Sequence, residues 1–237
     1  MNDNVTRPAN KRAELSGETV LVTGASGNIG QGIVERLAEA GANVIVHYHR
    51  NEAAARELAD RLGSAVVAQA DLGDEQAVDE LFAGAMPTML VTNAATQLVE
   101  DLGEMSFDSW REMLATNLVA AFLVMRRAAR AWADRGGAIV NIASIEAFDP
   151  AVGHGHYATS KAGLVMLSRA AALEFGSAGI RVNCVSPGLI DREGLQEDWP
   201  DGVSRWHDRV PLGCLGTPKD VAEAVLFLLS PAARWIS

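Results

Sequence analysis

Only two cysteines, Cys184 and Cys214, occur in 237 residues, far apart and with no CxxC spacing. That excludes a disulfide scaffold or a cysteine-built zinc site and suits a reducing cytoplasm. Positive charge is also scarce: 20 Lys and Arg stand against 30 Asp and Glu, a formal net charge of −10. Nucleic acid and anionic membrane surfaces are held mainly through Lys and Arg, so neither is expected as a partner. No run of about 18 apolar residues offers a membrane span. The opening "MNDNVTRPANKRAELSG" lacks the apolar stretch of a signal peptide. A cytoplasmic protein is the expectation, with residues 1–16 a loose tail ahead of one domain over 17–237. No linker, repeat or low-complexity segment divides that domain.

What is present is alternation. Short apolar runs ("TVLVTG", "NVIVHY", "AVVAQAD", "TMLVTNAA", "GAIVNIAS", "RVNCVSP") alternate with amphipathic stretches, among them a long helix over about Phe107–Arg135 and another over about Tyr157–Phe175. This pattern predicts an α/β fold, a doubly wound parallel sheet of Rossmann type covered on both faces. The first strand runs through "TGASGNIG" into a helix, and such a loop brings backbone N–H groups and a helix N-terminus to a pyrophosphate. Gly24, Ser26, Gly27, Asn28, Ile29 and Gly30 are its candidate cofactor residues. At the end of the second strand, where an acid would bind the 2′-hydroxyl of NAD, stand Tyr48, His49, Arg50 and Asn51. A guanidinium with neighbouring donors suits the 2′-phosphate of NADP(H).

Tyr157 and Lys161 are four residues apart in "YATSK", a spacing that places both on one helix face. A neighbouring ammonium, together with the positive nicotinamide of an oxidised cofactor, favours the phenolate and predicts a lowered tyrosine pKa. Ser144, 13 residues upstream at a strand end, can meet the same substrate oxygen.

Together with "QADL", "TNAA", "ATNL" and "SPG", these motifs resemble the short-chain dehydrogenase/reductase family from about Glu18 onward. The resemblance implies Tyr157 as general acid/base, Lys161 on the nicotinamide ribose, and Ser144 orienting the carbonyl. It implies that Asn117 holds a water linking Lys161 to solvent. Asp71 and Leu72 flank the adenine, Asn93 and Ala94 run along the cofactor, and Pro187, Gly188 and Ile190 line the nicotinamide. Residues 191–213 correspond to a substrate-covering lid, with Trp199, Trp206 and, before the tyrosine, His154 to His156 as candidate pocket residues. No metal is expected.

Several departures stand out. Asn28 replaces a loop glycine, with a left-handed turn as the expected accommodation. Arg192 stands where a threonine is usual, and residues 84–89 are shortened. The usual final edge strand does not follow Ser237. The leading expectation is an NADPH-dependent oxidoreductase acting on a small-molecule carbonyl or alcohol, in the ketoacyl-reductase-like branch. The alternatives are a C=N reductase for pteridine-like or imine substrates, prompted by "HYHR" and Asn28, and a non-catalytic NADP-binding sensor. Enoyl reductases space Tyr and Lys more widely. Apolar surplus on the two long helices predicts a homodimer or homotetramer.

Overall fold

Each apolar run becomes a strand of one parallel sheet. In the computed structural model, which describes residues 14–63 and 65–237, these are β1 (Thr19–Val22), β2 (Asn43–Tyr48), β3 (Val66–Gln69), β4 (Met89–Thr92), β5 (Gly137–Ile142) and β6 (Ile180–Val185). Their order is β3-β2-β1-β4-β5-β6. The winding reverses between β1 and β4, which opens a crevice at the carboxyl ends of the strands. On one face pack α1 (Asn28–Glu39), α2 (Glu52–Leu62) and α9 (Pro218–Leu229), burying Ile33, Leu37, Leu58 and Val225. On the other lie α3 (Glu75–Ala85), α5 (Ala120–Ala131) and α6 (Gly155–Phe175), with Leu81, Val124 and Ala171. Strands buried on both faces read as continuous apolar runs, which is why the sequence pattern finds them.

The boundaries differ in places. Leu15, assigned to the tail by the sequence reading, is fully buried, and its N–H donates to Ala40 O at 2.8 Å. The ordered domain therefore takes in Leu15 and Ser16; residues 1–13 lie outside the described ones. The long helix is α4 (Phe107–Leu114) and α5 joined by one π turn over Ala115–Val119. It stops at Ala131, where Trp132 turns inward, donates Nε1–H to Pro87 O at 2.8 Å and fills the space above Gly137. The shortened connection into β4 is made by Met86 at φ 44°, the one non-glycine residue with positive φ among the described residues.

A buried polar bridge sets α6 against the sheet. Asn141 of β5 accepts from Thr92 Oγ1 at 2.5 Å and donates to Ser168 Oγ at 2.8 Å. A buried amide left unpaired is costly, so this pairing fixes the register of α6, and with it Lys161 two turns and Tyr157 three turns earlier. Beyond α9, Ile236 and Ser237 lie along β6, which is the edge of the sheet among the described residues. Asn183 Nδ2 donates to Ile236 O at 2.9 Å.

Candidate active site

The glycine loop is shaped by close packing. Gly24 has φ +60°, and a Cβ there would lie 2.7 Å from Ala94 Cα; a Cβ on Gly30 would lie 2.5 Å from Gly24 O. Thr23 Oγ1 accepts from the N–H groups of Asn93 and Ala94, and Asn93 Nδ2 donates to Gly24 O at 2.9 Å. The ends of β1 and β4 are thereby tied at the crevice. Beneath the loop, buried His47 of β2 accepts from Gly24 N at 3.2 Å through Nδ1 and donates through Nε2 to Ala70 O at 3.1 Å. Both partners are backbone groups of fixed polarity, so the ring tautomer is forced. Burial lowers its pKa to about 4, against the raising effect of the Ala70 bond.

The N-terminus of α1 fits an anionic group. Helices α2, α3, α4 and α9 are capped by Asn51, Asp74, Ser106 and Thr217 and carry an acid in the first turn. Helix α1 begins after Gly27 with no side-chain cap and no acid. Its first N–H groups and dipole are left for a phosphate. Asn28 needs no left-handed turn: it opens α1, and its Nδ2 donates to Asp191 O at 2.8 Å, tying the loop to the lid. Ser26 is half-buried, its carbonyl accepting from Gln31 Nε2, and Ile29 packs onto the core.

At the tip of β2, Tyr48 is half-buried while His49 and Arg50 are exposed. His49 Nε2 stands 3.9 Å from Asp71 Oδ2. Asn51 is partly committed elsewhere, its Oδ1 accepting from Ala54 N at the start of α2. Leu72, next to Asp71, is buried.

The candidate catalytic residues meet beyond β5. Ser144 follows the strand and lies close enough to Tyr157 to bear on its titration, and Tyr157 is one turn along α6 from Lys161. Lys161 is buried and donates from Nζ to Ile142 O at 2.9 Å, with Nζ 5.7 Å from the Tyr157 ring centre. Burial lowers its ammonium to about 8, with Cys184 opposing. The Tyr157 phenol is raised above its usual range, by burial first, with the Ser144 hydroxyl opposing and the Glu146 charge adding to the rise. In the protein without cofactor this direction is opposite to the lowering that the sequence reading expects from the ammonium together with an oxidised nicotinamide.

Asn117 sits in the π turn with its side chain already spoken for. Its Oδ1 accepts from Thr96 N at 2.8 Å, and its Nδ2 donates to Thr96 O at 2.9 Å and approaches Ser160 Oγ at 3.1 Å. The carboxamide clamps the loop after β4.

Pro187 O accepts from Ile145 N at 2.8 Å, and Ile190 bridges to Gly216, clasping the two ends of the lid. The lid holds two helices, α7 (Leu195–Asp198) and α8 (Pro200–Arg209). Trp206 lies on Gly188, where a Cβ would be 2.6 Å from its Cζ2. Trp199 packs on Gly202 within its own helix pair, with Arg205 over its ring, and remains exposed. Arg209 pairs with Asp149 across the cleft. Arg192 bridges to Asp198 within the lid at 2.8 Å. His156 is completely buried and so does not border an open pocket.

This arrangement has relatives. The family model described as enoyl-(acyl carrier protein) reductase, of the short-chain alcohol dehydrogenase type, matches residues 24–237. The chain belongs to the short-chain dehydrogenase/reductase family. It is 33% identical to 3β-hydroxysteroid dehydrogenase 1 of Eggerthella lenta, over 94% of this chain and 91% of that protein. It is 36% identical to the 3-oxoacyl-(acyl-carrier-protein) reductase FabG of Chlamydia muridarum, over 94% of each. A crystal structure of a putative short-chain alcohol dehydrogenase from Sinorhizobium meliloti 1021 superposes with a TM-score of 0.88 at 35% identity, covering 95% of this chain and 94% of that one. As a short-chain dehydrogenase/reductase the protein is an oxidoreductase that uses a nicotinamide cofactor. No helix among the described residues is long and apolar enough to cross a membrane.

Sequence reasoning missed two residues of this short-chain dehydrogenase/reductase site, Thr23 and His47. Each lies inside a run read as strand, and each acts on backbone groups that only the sheet register brings near.

Proposed function

We propose that the protein is an NADPH-dependent carbonyl reductase, reversible toward the alcohol. The observation that carries this reading is buried Lys161, tied to Ile142 O at the end of β5 with its Nζ 5.7 Å from the Tyr157 ring centre, and Ser144 beside them at the carboxyl edge of the sheet. The uncapped α1 N-terminus supports pyrophosphate there. Lys161 lies within the same crevice to hold the ribose. When bound, the nicotinamide supplies or accepts the hydride. Ser144 Oγ holds the carbonyl oxygen, and Tyr157, kept protonated by burial, donates its proton to that oxygen. The cleft is closed by the lid, with Trp206 over Gly188 and the Arg209–Asp149 pair fastening α8 to the loop after Ser144. Stopped-flow oxidation of NADPH against a panel of ketones tests the reading. Tight NADPH binding with no oxidation by any member would instead mark a sensor.

Exposed Arg50, with no acid at the tip of β2, supports NADP(H) over NAD(H). A charge-assisted hydrogen bond contributes about 1.5–3 kcal/mol, less at an exposed site, so a preference of roughly tenfold is expected. Arg50→Ala should weaken NADP binding by that factor and leave NAD binding nearly unchanged. Fluorescence titration with both cofactors checks it; equal parental affinities count against the assignment.

The same reading makes the protein a homo-oligomer at work in a cytoplasm. On α4, α5 and α6, Met113, Ala121, Met125, Leu164 and Ala171 are buried, whereas Phe107, Phe122, Met166 and Leu173, and Val119 of the π turn, are exposed. A groove between α4 and α6 is lined by Leu102, Trp110, Ala158 and Ala162, together with Glu146 and Thr159. Apolar surface of this extent is normally covered by a partner, and a two-fold pairing of the helices covers it. Light scattering at micromolar concentration should give at least a dimer mass; a monomer would end this part of the reading.

A further inference from the structure

Gln97, Glu146 and His154 converge beside Tyr157 from three separate segments. His154 Nδ1 stands 2.8 Å from Glu146 Oε2 and 3.1 Å from Oε1, and Gln97 Nε2 is 3.4 Å from the same nitrogen. The Glu146 and His154 side chains are only 16% and 14% exposed. The His154 ring meets the Tyr157 ring edge-on, with centres 6.1 Å apart. The backbone is arranged to deliver them. Glu146 N donates to Ser144 Oγ at 3.1 Å, which hangs the carboxylate directly off the reactive serine. Gly153, at φ +80°, takes a turn in which a Cβ would strike Val99, and its carbonyl accepts from Glu100 N at 2.9 Å. That join between the loop after β4 and the loop after β5 puts His154 at the head of α6.

A carboxylate accepting the Nδ1–H fixes both the tautomer and the orientation of the ring. Nε2, which makes no hydrogen bond among the described residues, is left to act as an acceptor, or as a donor when the ring is charged. The wall of the cleft next to the phenol thus offers a ring nitrogen held in place by a half-buried carboxylate, with an amide close by. Hydrocarbon at that wall leaves these groups unsatisfied, a carboxylate or phosphate meets the Glu146 charge, and a neutral hydroxyl satisfies them. Resting on the carbonyl-reductase reading above, we propose that His154, oriented by Glu146, is a specificity-determining residue that binds a hydroxyl on the carbon next to the reacting one. The preferred substrates are then α-hydroxy ketones or aldehydes, and the corresponding vicinal diols in the reverse direction.

Pairs of substrates that differ by that hydroxyl test it: butan-2-one against 3-hydroxybutan-2-one, and cyclohexanone against 2-hydroxycyclohexanone. The parent should favour the hydroxylated member in kcat/KM by about tenfold, the value of one hydrogen bond to an oriented group. His154→Leu and Glu146→Ala should bring the ratio close to one. Glu146→Gln, whose amide oxygen still accepts the Nδ1–H, should restore most of it, which a merely structural loss would not do. No preference in the parent, or a ratio that the variants leave unchanged, overturns the proposal. If neither ketone is reduced, the carbonyl-reductase reading fails, and binding decides on His154 separately. The ring nitrogen resonances of His154 in the NADP-loaded protein should then move with propane-1,2-diol and not with propan-1-ol. Movement with neither, or equally with both, overturns the assignment.

Discussion

Replacing Tyr157 by phenylalanine should lower ketone reduction by about 10²–10⁴-fold, the usual contribution of a positioned acid, while NADPH affinity stays near the parental value. The substitution removes only the phenol oxygen. The ring remains between His154 and Lys161, and the Lys161–Ile142 bond is untouched. Cofactor titration and single-turnover reduction, run on the same preparation, separate the two effects. Normal turnover in the variant would show that another group delivers the proton. The pH profile is a second readout. Because burial and the Glu146 charge raise the phenol pKa, the acid form dominates through neutral pH. Reduction should therefore hold across that range, and alcohol oxidation, which needs the phenolate, should rise as the solution becomes alkaline.

The second large effect is expected in acid. His47 titrates near 6.5 in the unfolded chain and at about 4 in the fold. Between these values the unfolded state binds more protons, so stability rises with pH across the window and falls on acidification through it. At about 1.4 kcal/mol per pKa unit, the change amounts to about 3 kcal/mol, the scale set by burying the ring. Protonation would also place a new N–H against Gly24 N, so the glycine loop loses its support at the same time. His47→Gln removes the titration. Urea midpoints at about pH 4.5 and 7, taken at one protein concentration, should differ less for the variant than for the parent. Equal differences would mean that His47 is not the acid-sensitive group.

The residues that were legible and those that were not differ in a physical way. Strands with both faces buried, a glycine loop between a strand and a helix, and a Tyr–Lys pair at helical spacing are local patterns. They can be read from neighbours in the chain. His47 depends on Gly24 and Ala70, each 23 residues away, and only the pairing of β2 between β1 and β3 brings them together. Asn28 was read as a strained glycine substitute because local conformation was the only guide; its partner, the Asp191 carbonyl, is 163 residues distant. Asn117 was placed correctly on a helix, but its carboxamide is satisfied by the backbone of Thr96, across a loop with no periodicity. The Glu146–His154 contact spans eight residues of irregular chain, where spacing carries no geometric meaning.

The seam between α1 and α9 bears on the order in which the protein can be built. A Cβ on Gly32 would fall 2.6 Å from Pro218 Cβ, and Arg36 Nε reaches Glu223 at 2.7 Å, so the helix behind the glycine loop rests on the last helix described. During synthesis β1, β2 and α1 leave the ribosome well before α9, and a contact so distant in the chain forms late. Until then the apolar side of α1, with Ile33 and Leu37, lacks its cover from Val221 and Val225. The nascent chain carries the glycine loop early but supports it only once α9 has emerged, so a half-sheet with uncovered apolar surface persists in the interval.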